Sequence, residues 1–545
     1  MKNILINERK AIIPIFILSF LIFFFTINRC FTLVIDSIEY IGLVCRGDFL
    51  FFPHHLFYET SFFLWGDLLK SLGMPDMALN LALLNVILGS CSVVIIYLIL
   101  KVRFGLSTFK SLASLGFPVF SFGFWIVSTS VNVYAASLLL LLSCFYVYLE
   151  DNESRKKWVI IGIFHGLAIV FNQWNIFIFF VITFSVVFSA SRQLVLKKYY
   201  LYYLISFSAI VGISYFSVMI FYYHIYSING MYHWVTFYSG LFPWNTFGIR
   251  SLKLAITGIG QTIISPFWFF NSPFLFSFIH SVLPNVSLEE EIYFSHKINP
   301  LMINFLIVLS TITIAILFYF IIIIFKRFKQ VFQIHSKKII FMINWIIISS
   351  IMPYFWSSQN QRYWFIQTTV FFLMIILISL NIKGKLIHRV NIVLLIFLGA
   401  CLFFVNFTGS FSIGVDKRND LIYHKVICLD GKAKHGDLII FKDIWNYGGY
   451  SSYYLPGTKY LSLSSLKREE NVEKAFILLN NIDNILIKNN IFISEDVFTA
   501  KSEYPEKIRT TINDIKERYK HSMRLLSFRY IKFYEINKDA KSNLK

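Results

Sequence analysis

The sequence predicts a multi-pass α-helical membrane protein of about 11 transmembrane helices, followed by a small outer-facing α/β domain. Three observations carry this. Hydrophobic residues fill 57% of the 545 positions and charged residues only 15%, whereas soluble domains run at about 45–50% and about 25%. Apolar runs of about 18–25 residues, the length that crosses a hydrocarbon core, recur over residues 1–407. Basic clusters separate alternate runs, as the cytoplasmic excess of Lys and Arg requires.

With 61 Phe and 30 Tyr, the chain has more aromatic surface than one soluble core can hide. Disorder, a secreted disulfide scaffold and an ordinary cytosolic enzyme are excluded as descriptions of the whole chain. The formal charge is +20, from 50 Lys+Arg against 30 Asp+Glu. Basic loops facing anionic cytoplasmic lipid account for it. No zinc-finger spacing, RNP-like run or Walker loop points to nucleic acid or nucleotide. The six Cys are scattered without a CxxC; Cys45 and Cys428 fall on the same side of the membrane, which leaves a disulfide between them open.

The first span covers residues 11–35. Lys2, Arg9 and Lys10 precede it and set its start in the cytoplasm. It is long and ends in Asn28-Arg29-Cys30 rather than small residues, as an uncleaved anchor does. Spans follow at 77–100, 111–130 and 133–149, flanked by Lys101, Arg103 and Lys110 and then by Arg155, Lys156 and Lys157. The apolar stretch 158–190 is too long for one crossing and both its flanks are basic. It reads as two short helices breaking near Asn172-Gln173-Trp174-Asn175, whose polar groups need water or protein partners. Further spans are 199–223, 301–325, 339–356, 363–382 and 390–407. Between 224 and 300 lies an aromatic-rich outer segment holding Glu289-Glu290-Glu291.

Parity puts residues 408–545 outside, so the chain divides into a membrane domain, 1–407, and an outer soluble domain. In the latter, 437–441, 459–463, 484–493 and 529–535 read as strands, and 471–480 and 505–526 as helices. Such alternation marks a small α/β domain.

Charged residues are rare within the spans, which argues against an ion path through the bilayer centre. Polar groups gather in the outer loops. The first holds Asp36-Ser-Ile-Glu39-Tyr40, then Arg46-Gly47-Asp48, then Pro53-His54-His55-Leu56. A carboxylate at Asp36 lies at the outer surface, where it can meet both a lipid-linked and a water-borne substrate. Asp36 with Glu39 also spells a capping box, and Asp48 is also an ordinary loop residue. His54-His55 could bind phosphate or metal, although adjacent His side chains do not face one site on a helix. Trp125 and Tyr134 read as interface aromatics. Arg362, before Tyr363 in a short outer hairpin, runs against the usual charge bias. It either snorkels to the surface or grips an anion, since a guanidinium matches phosphate oxygens. Arg250 in the long outer segment is a candidate of the same kind.

Together these residues resemble the GT-C superfamily of multi-span glycosyltransferases, and its protein O-mannosyltransferase-like members in particular, which use polyprenyl-phosphate-linked sugars. Asp36-Ser-Ile-Glu39-Tyr40, Gly47 and Pro53-His54-His55-Leu56 look like their first outer loop. Trp125 to Tyr134 is similar to a second conserved stretch, with Asn132 where a glutamate is usual. Gly166 to Gln173 is similar to their split fifth helix, and Gln361-Arg362-Tyr363 to the Arg-Tyr before a late span. The His-Pro-Pro-Gly of some relatives is absent.

The resemblance implies a hexosyltransferase of a bacterial inner membrane. It would move a sugar, with inversion, from polyprenyl phosphate to an acceptor glycan, lipid or protein on the outer face. Asp36 would be the base, with Glu39 or Asp48 orienting it or the acceptor. Arg362, helped by His54 or His55, would steady the leaving phosphate, and Tyr363, Trp125, Tyr134 and Arg250 would line the substrates. No cofactor is demanded, and a divalent metal is left open. The partners are membrane lipid and the two substrates, not nucleic acid. A transporter or flippase of lipid-linked saccharides is the rival reading. It would show an internal repeat and ionisable groups at mid-bilayer, which are not visible here. A non-catalytic scaffold would be indifferent to Asp36 and Arg362.

Overall fold

The computed structural model describes residues 2–34, 36–47, 51–187, 193–236, 246–282, 289–382, 384–442, 444–463, 469–499, 504–528 and 531–537. The chain folds as two compact units, Met1–Arg29 with Gly47–Asp416 and Cys30–Arg46 with Lys417–Lys545. The second unit starts at Lys417 rather than at 408, because the last long helix, Lys385–Asn406, continues through a π-turn, Phe407–Phe411, into Ser412–Gly414. It also takes in residues 30–46 of the first outer loop.

The first unit is built from apolar helices. In order they are Lys2–Phe25, Met77–Leu98, the pair Thr108–Val119 and Phe122–Thr129, Tyr134–Tyr148, Arg155–Phe171, Phe177–Val187, Gln193–Ser217, the two halves of Pro300–Trp356, Phe365–Leu380 and Lys385–Asn406. With the pair counted once, they stand where the spans were expected. Among the described residues four have the length and apolarity to cross a bilayer alone, and the bent pair makes a fifth. The shorter ones survive by enclosure: Phe365–Leu380 is buried along almost its whole length.

The expected split of 158–190 is present, and ring contacts fix its sense. Trp158 meets Tyr200 and Tyr203, and His165 stacks on Phe207 at 4.9 Å. Contacts therefore advance together along Arg155–Phe171 and Gln193–Ser217, and these two helices run parallel. Between them Phe179 meets Phe207 while Thr183 bonds Tyr200, so Phe177–Val187 runs the other way. The parallel pair approaches closely because Gly162 has no side chain. A Cβ there would lie 2.0 Å from Ser206 Oγ and 2.7 Å from the Tyr203 carbonyl.

Two expectations are corrected. The first helix stops at Phe25 rather than 35, and the Asn28 N–H bonds the Thr129 carbonyl at 2.9 Å. The 111–130 span is broken, its halves meeting at 79°. Pro118 cannot donate to the helix, and Ser121 Oγ bonds its carbonyl instead at 2.8 Å. The groups exposed at this break are met by Asn406, whose amide donates to Phe120 O and Ile263 O and accepts from Ser265 N. The expected spans 301–325 and 339–356 are two helices, as expected, but they meet directly at a kink at His335 within Pro300–Trp356 rather than across a loop. The basic stretch between them holds no Gly or Pro that would end a helix.

The second unit carries a five-stranded sheet of order β2-β1-β3-β5-β4. β1 is Leu438–Phe441, β2 Lys459–Ser462, β3 Ile491–Ser494, β4 Met523–Phe528 and β5 Ile531–Ile536. The first three are parallel; β5 pairs antiparallel with both β3 and β4. Ile440, Ile493, Leu479, Ile508 and Ile512 share its core. The expected strand 484–493 begins only at Ile491, after a helical turn at Ile482–Ile485. The helix expected over 505–526 ends at Arg518, and its last residues form β4 because β5 offers them an antiparallel partner. The helix Ile444–Tyr454 was not expected, since its Gly-Gly pair hides the pattern. Gly449 lets the Asp36–Arg46 helix lie against it: a Cβ would stand 3.0 Å from Ile38 Cγ2. The disulfide left open is not present: Cys45 and Cys428 are not bridged.

Within the membrane unit, one set of helix ends is locked by charge. Glu153 accepts from Lys337 at 2.9 Å, Lys157 at 3.2 Å and Trp158 Nε1 at 2.8 Å. Arg103 reaches the Tyr146 carbonyl at 2.9 Å and sits over its ring, and Lys338 bonds the Arg103 carbonyl. Lys157 is nearly enclosed, so removing its anion strands a buried cation. Glu153→Ala should cost about 3 kcal/mol, read as a clear fall in thermal midpoint in detergent; Glu153→Gln, which keeps an acceptor for Trp158, should cost less.

Candidate active site

The site is built on the turn between the parallel helix Arg155–Phe171 and its returning partner. A helix that ends here leaves carbonyls without partners, and side chains tie up the backbone of the helix end and of the turn. Asn175 Nδ2 bonds Ala168 O at 2.8 Å, and His165 Nε2 donates to Asn175 O at 2.9 Å. Tyr203 holds the other ring nitrogen of His165. Asn172 turns back to accept from Trp174 N at 3.1 Å. Two further carbonyls are capped by the segment 51–57: Phe57 N bonds Val170 O at 3.3 Å and the His55 ring bonds Phe171 O. That segment is itself pinned, with Tyr215 Oη on Pro53 O and Tyr223 Oη on Phe51 O.

His54 and His55 are thus buried behind the turn. Burial lowers His54 to about 4. Burial and then the neighbouring His54 lower His55 to about 3, against the upward pull of its bonds to the Phe171 and His54 carbonyls. Burial likewise pushes the carboxyl of Glu59, 1% exposed, well above the usual range. The two imidazoles are neutral at physiological pH and offer N–H groups rather than cationic charge.

In front of the turn lies a pocket lined by Asn172, Trp174, Tyr134, Arg362, Tyr363 and Gln367, among others. Trp174 packs against Tyr363 at 4.6 Å and Trp356 at 5.7 Å, and Tyr134 meets Tyr363 edge-on at 6.2 Å. The hairpin carrying Arg362 is stiff. Asn360 caps it and takes both the backbone N–H and Nε of Arg362, Thr262 bonds Gln361 O, and Trp364 bonds Ser358 O. Gln367 donates to Ser349 O at 2.8 Å. A half-buried guanidinium, amide groups and aromatic faces can together hold an anion and a polyhydroxyl ligand.

Of the residues singled out in the sequence, Tyr134, Arg362 and Tyr363 are brought together here, although more than 200 positions separate Tyr134 from the other two. Asp36 and Glu39 occupy the first turn of the Asp36–Arg46 helix in the other unit. Asp36 is the first helical residue rather than the cap before it. Asp48 lies outside the described residues. Trp125 is fully enclosed, stacked on Phe411 at 4.4 Å with its indole N–H on Thr26, and serves packing rather than the interface. Arg250 is exposed on the Ile249–Ile263 helix and does not line the pocket. Among the described residues no group of three His, Cys, Asp or Glu is placed to hold a metal ion. Sequence reasoning missed Gln367; its one signal is an amide inside an otherwise apolar span.

Because the folded chain keeps both His neutral where the unfolded chain would protonate them, stability should fall as pH drops from about 6.5 toward 4. The detergent melting midpoint against pH measures this, and His55→Asn should flatten the slope.

No protein-family profile and no curated protein sequence matches the chain. Solved structures do. The chain is similar to apo ArnT from Cupriavidus metallidurans, with a TM-score of 0.57 at 9% identity over 98% of this chain and 99% of that one. It is also similar to ArnT from the same organism bound to undecaprenyl phosphate, with a TM-score of 0.51 at 12% identity over 97% and 98%. Over nearly its whole length, therefore, the chain has the fold of these ArnT structures.

Proposed function

We propose that the protein is an inverting glycosyltransferase that moves a sugar from a polyprenyl-phosphate donor to an acceptor at the outer face of a bacterial inner membrane. The observation that carries this is the full-length likeness to ArnT, one structure of which holds undecaprenyl phosphate. Two features of the membrane unit support it. The pocket has a guanidinium held in a stiff hairpin beside aromatic faces. An apolar groove lined by Phe51, Phe57, Ile213, Phe221 and Tyr222 suits an isoprenoid chain.

In this reading the acceptor hydroxyl attacks the anomeric carbon, the bond from that carbon to the phosphate oxygen breaks, and polyprenyl phosphate leaves with the electron pair. Charge grows on the leaving oxygen, so a cation near it lowers the barrier; the attacking hydroxyl must lose its proton to a base. Arg362 is the proposed cation. Asp36 is the proposed base, with Glu39 or Asp48 orienting it. The neutral His54 and His55 support Arg362 by holding the turn rather than by charge. The tail unit is proposed to lie outside the membrane.

The test is to incubate the purified protein with a panel of polyprenyl-phosphate hexoses and measure released polyprenyl phosphate. Turnover of one donor is expected. Arg362→Ala should lower kcat/KM about 100-fold, with Arg362→Lys in between. Asp36→Asn should abolish transfer at an unchanged melting midpoint; retained turnover would move the base elsewhere.

A further inference from the structure

Gln367 stands in the helix Phe365–Leu380, almost all of whose residues are buried and most of which are apolar. It is 7% exposed. Its amide orientation is fixed, because Nε2 must face the Ser349 carbonyl 2.8 Å away, and Oε1 then points elsewhere. Oε1 is buried and has no hydrogen-bond partner among the described residues. A buried carbonyl without a donor is costly, and a residue such as Leu would pack this span without the cost. Gln367 lines the pocket beside Trp174 and Tyr363. The neighbouring amides are already committed, Asn175 Nδ2 to Ala168 O and Asn172 Oδ1 to Trp174 N.

We propose that Gln367 Oε1 accepts a hydroxyl of the donor's sugar ring, making Gln367 the residue that selects among sugars. This rests on the glycosyltransferase reading and deepens it. The chemistry separates the two ends of the donor. An amide oxygen needs a donor, which a phosphate ionised at neutral pH does not supply and a sugar hydroxyl does. The guanidinium of Arg362 has only donors and suits the phosphate. The half-buried rings of Trp174 and Tyr363 offer apolar faces to the C–H side of a pyranose, so the ring lies between them and Gln367 with its phosphate toward Arg362.

The test compares wild type with Gln367→Met, of similar length but without an amide oxygen, on polyprenyl-phosphate hexoses and their single-deoxy analogues. Wild type should disfavour one deoxy donor by about 10- to 100-fold in kcat/KM. Gln367→Met should fall to that same level on the parent sugar and no longer tell the two apart. Its melting midpoint and its binding of sugar-free polyprenyl phosphate should not change. Gln367→Asn, which withdraws the acceptor by one methylene, should shift in the same direction and serves if the Met variant does not fold. A Gln367→Met enzyme that keeps wild-type discrimination overturns the inference and leaves the glycosyltransferase reading standing. So does one that loses every donor together with its melting midpoint, since that marks packing. If wild type releases polyprenyl phosphate from no donor, the glycosyltransferase reading falls and the inference with it.

Discussion

Where a helix stops at membrane depth, its last carbonyls and first amides find no water, and each must be met by another part of the protein. The organisation of the membrane unit follows from that demand. The end of Arg155–Phe171 and its turn are closed by Asn175, His165 and the segment 51–57, which contributes the Phe57 amide and the His55 ring. The break at Phe120–Ser121 is closed by Asn406, which is 286 residues away in the chain. Both arrangements spend polar side chains on the backbone. Each also ties distant segments together: the first holds the segment 51–57 against the turn that carries Trp174, and the second fastens the last span to the third.

Charge is divided between the two ends of the unit in a way that suits a protein with one working face. At the ends near Glu153, cations and anions are matched: Lys157, Lys337 and Trp158 converge on one carboxylate, and Lys157 and Glu153 are nearly enclosed. Such a cluster adds specificity and rigidity rather than affinity for anything else. At the pocket the Asn360 amide oxygen accepts from both the backbone N–H and the Nε of Arg362. The aromatic rings around it supply surface without charge. His54 and His55, which stand next to one another in the sequence and invite a reading as cations, are instead kept neutral by burial.

Much of the fold was legible because bilayers impose simple rules. Apolar length marked the spans, and basic flanks at 155–157 and 192–198 forced the 158–190 stretch to return, which it does at Asn172–Ile176. Local patterning was a poorer guide where no such rule applied. Residues 523–526 look helical until β5 pairs with them, and the Gly-Gly of 448–449 disguises a helix that needs a small residue against Ile38. The site was partly legible: Arg362, Tyr363 and Tyr134 stood out by type and position, while Trp125 has the same composition signal and turns out to be core.

By itself the sequence determined that this chain crosses a membrane many times, where it turns, and that a sheet-containing unit follows. Hydropathy and charge bias act on each segment separately, so they can be read one segment at a time. Which polar residues face a ligand was decided only by tertiary structure. Gln367 and Asn406 are both amides in apolar spans, and nothing local distinguishes them. Asn406 meets the backbone of a broken helix, whereas Gln367 lines a pocket, because helices remote in sequence happen to end beside them.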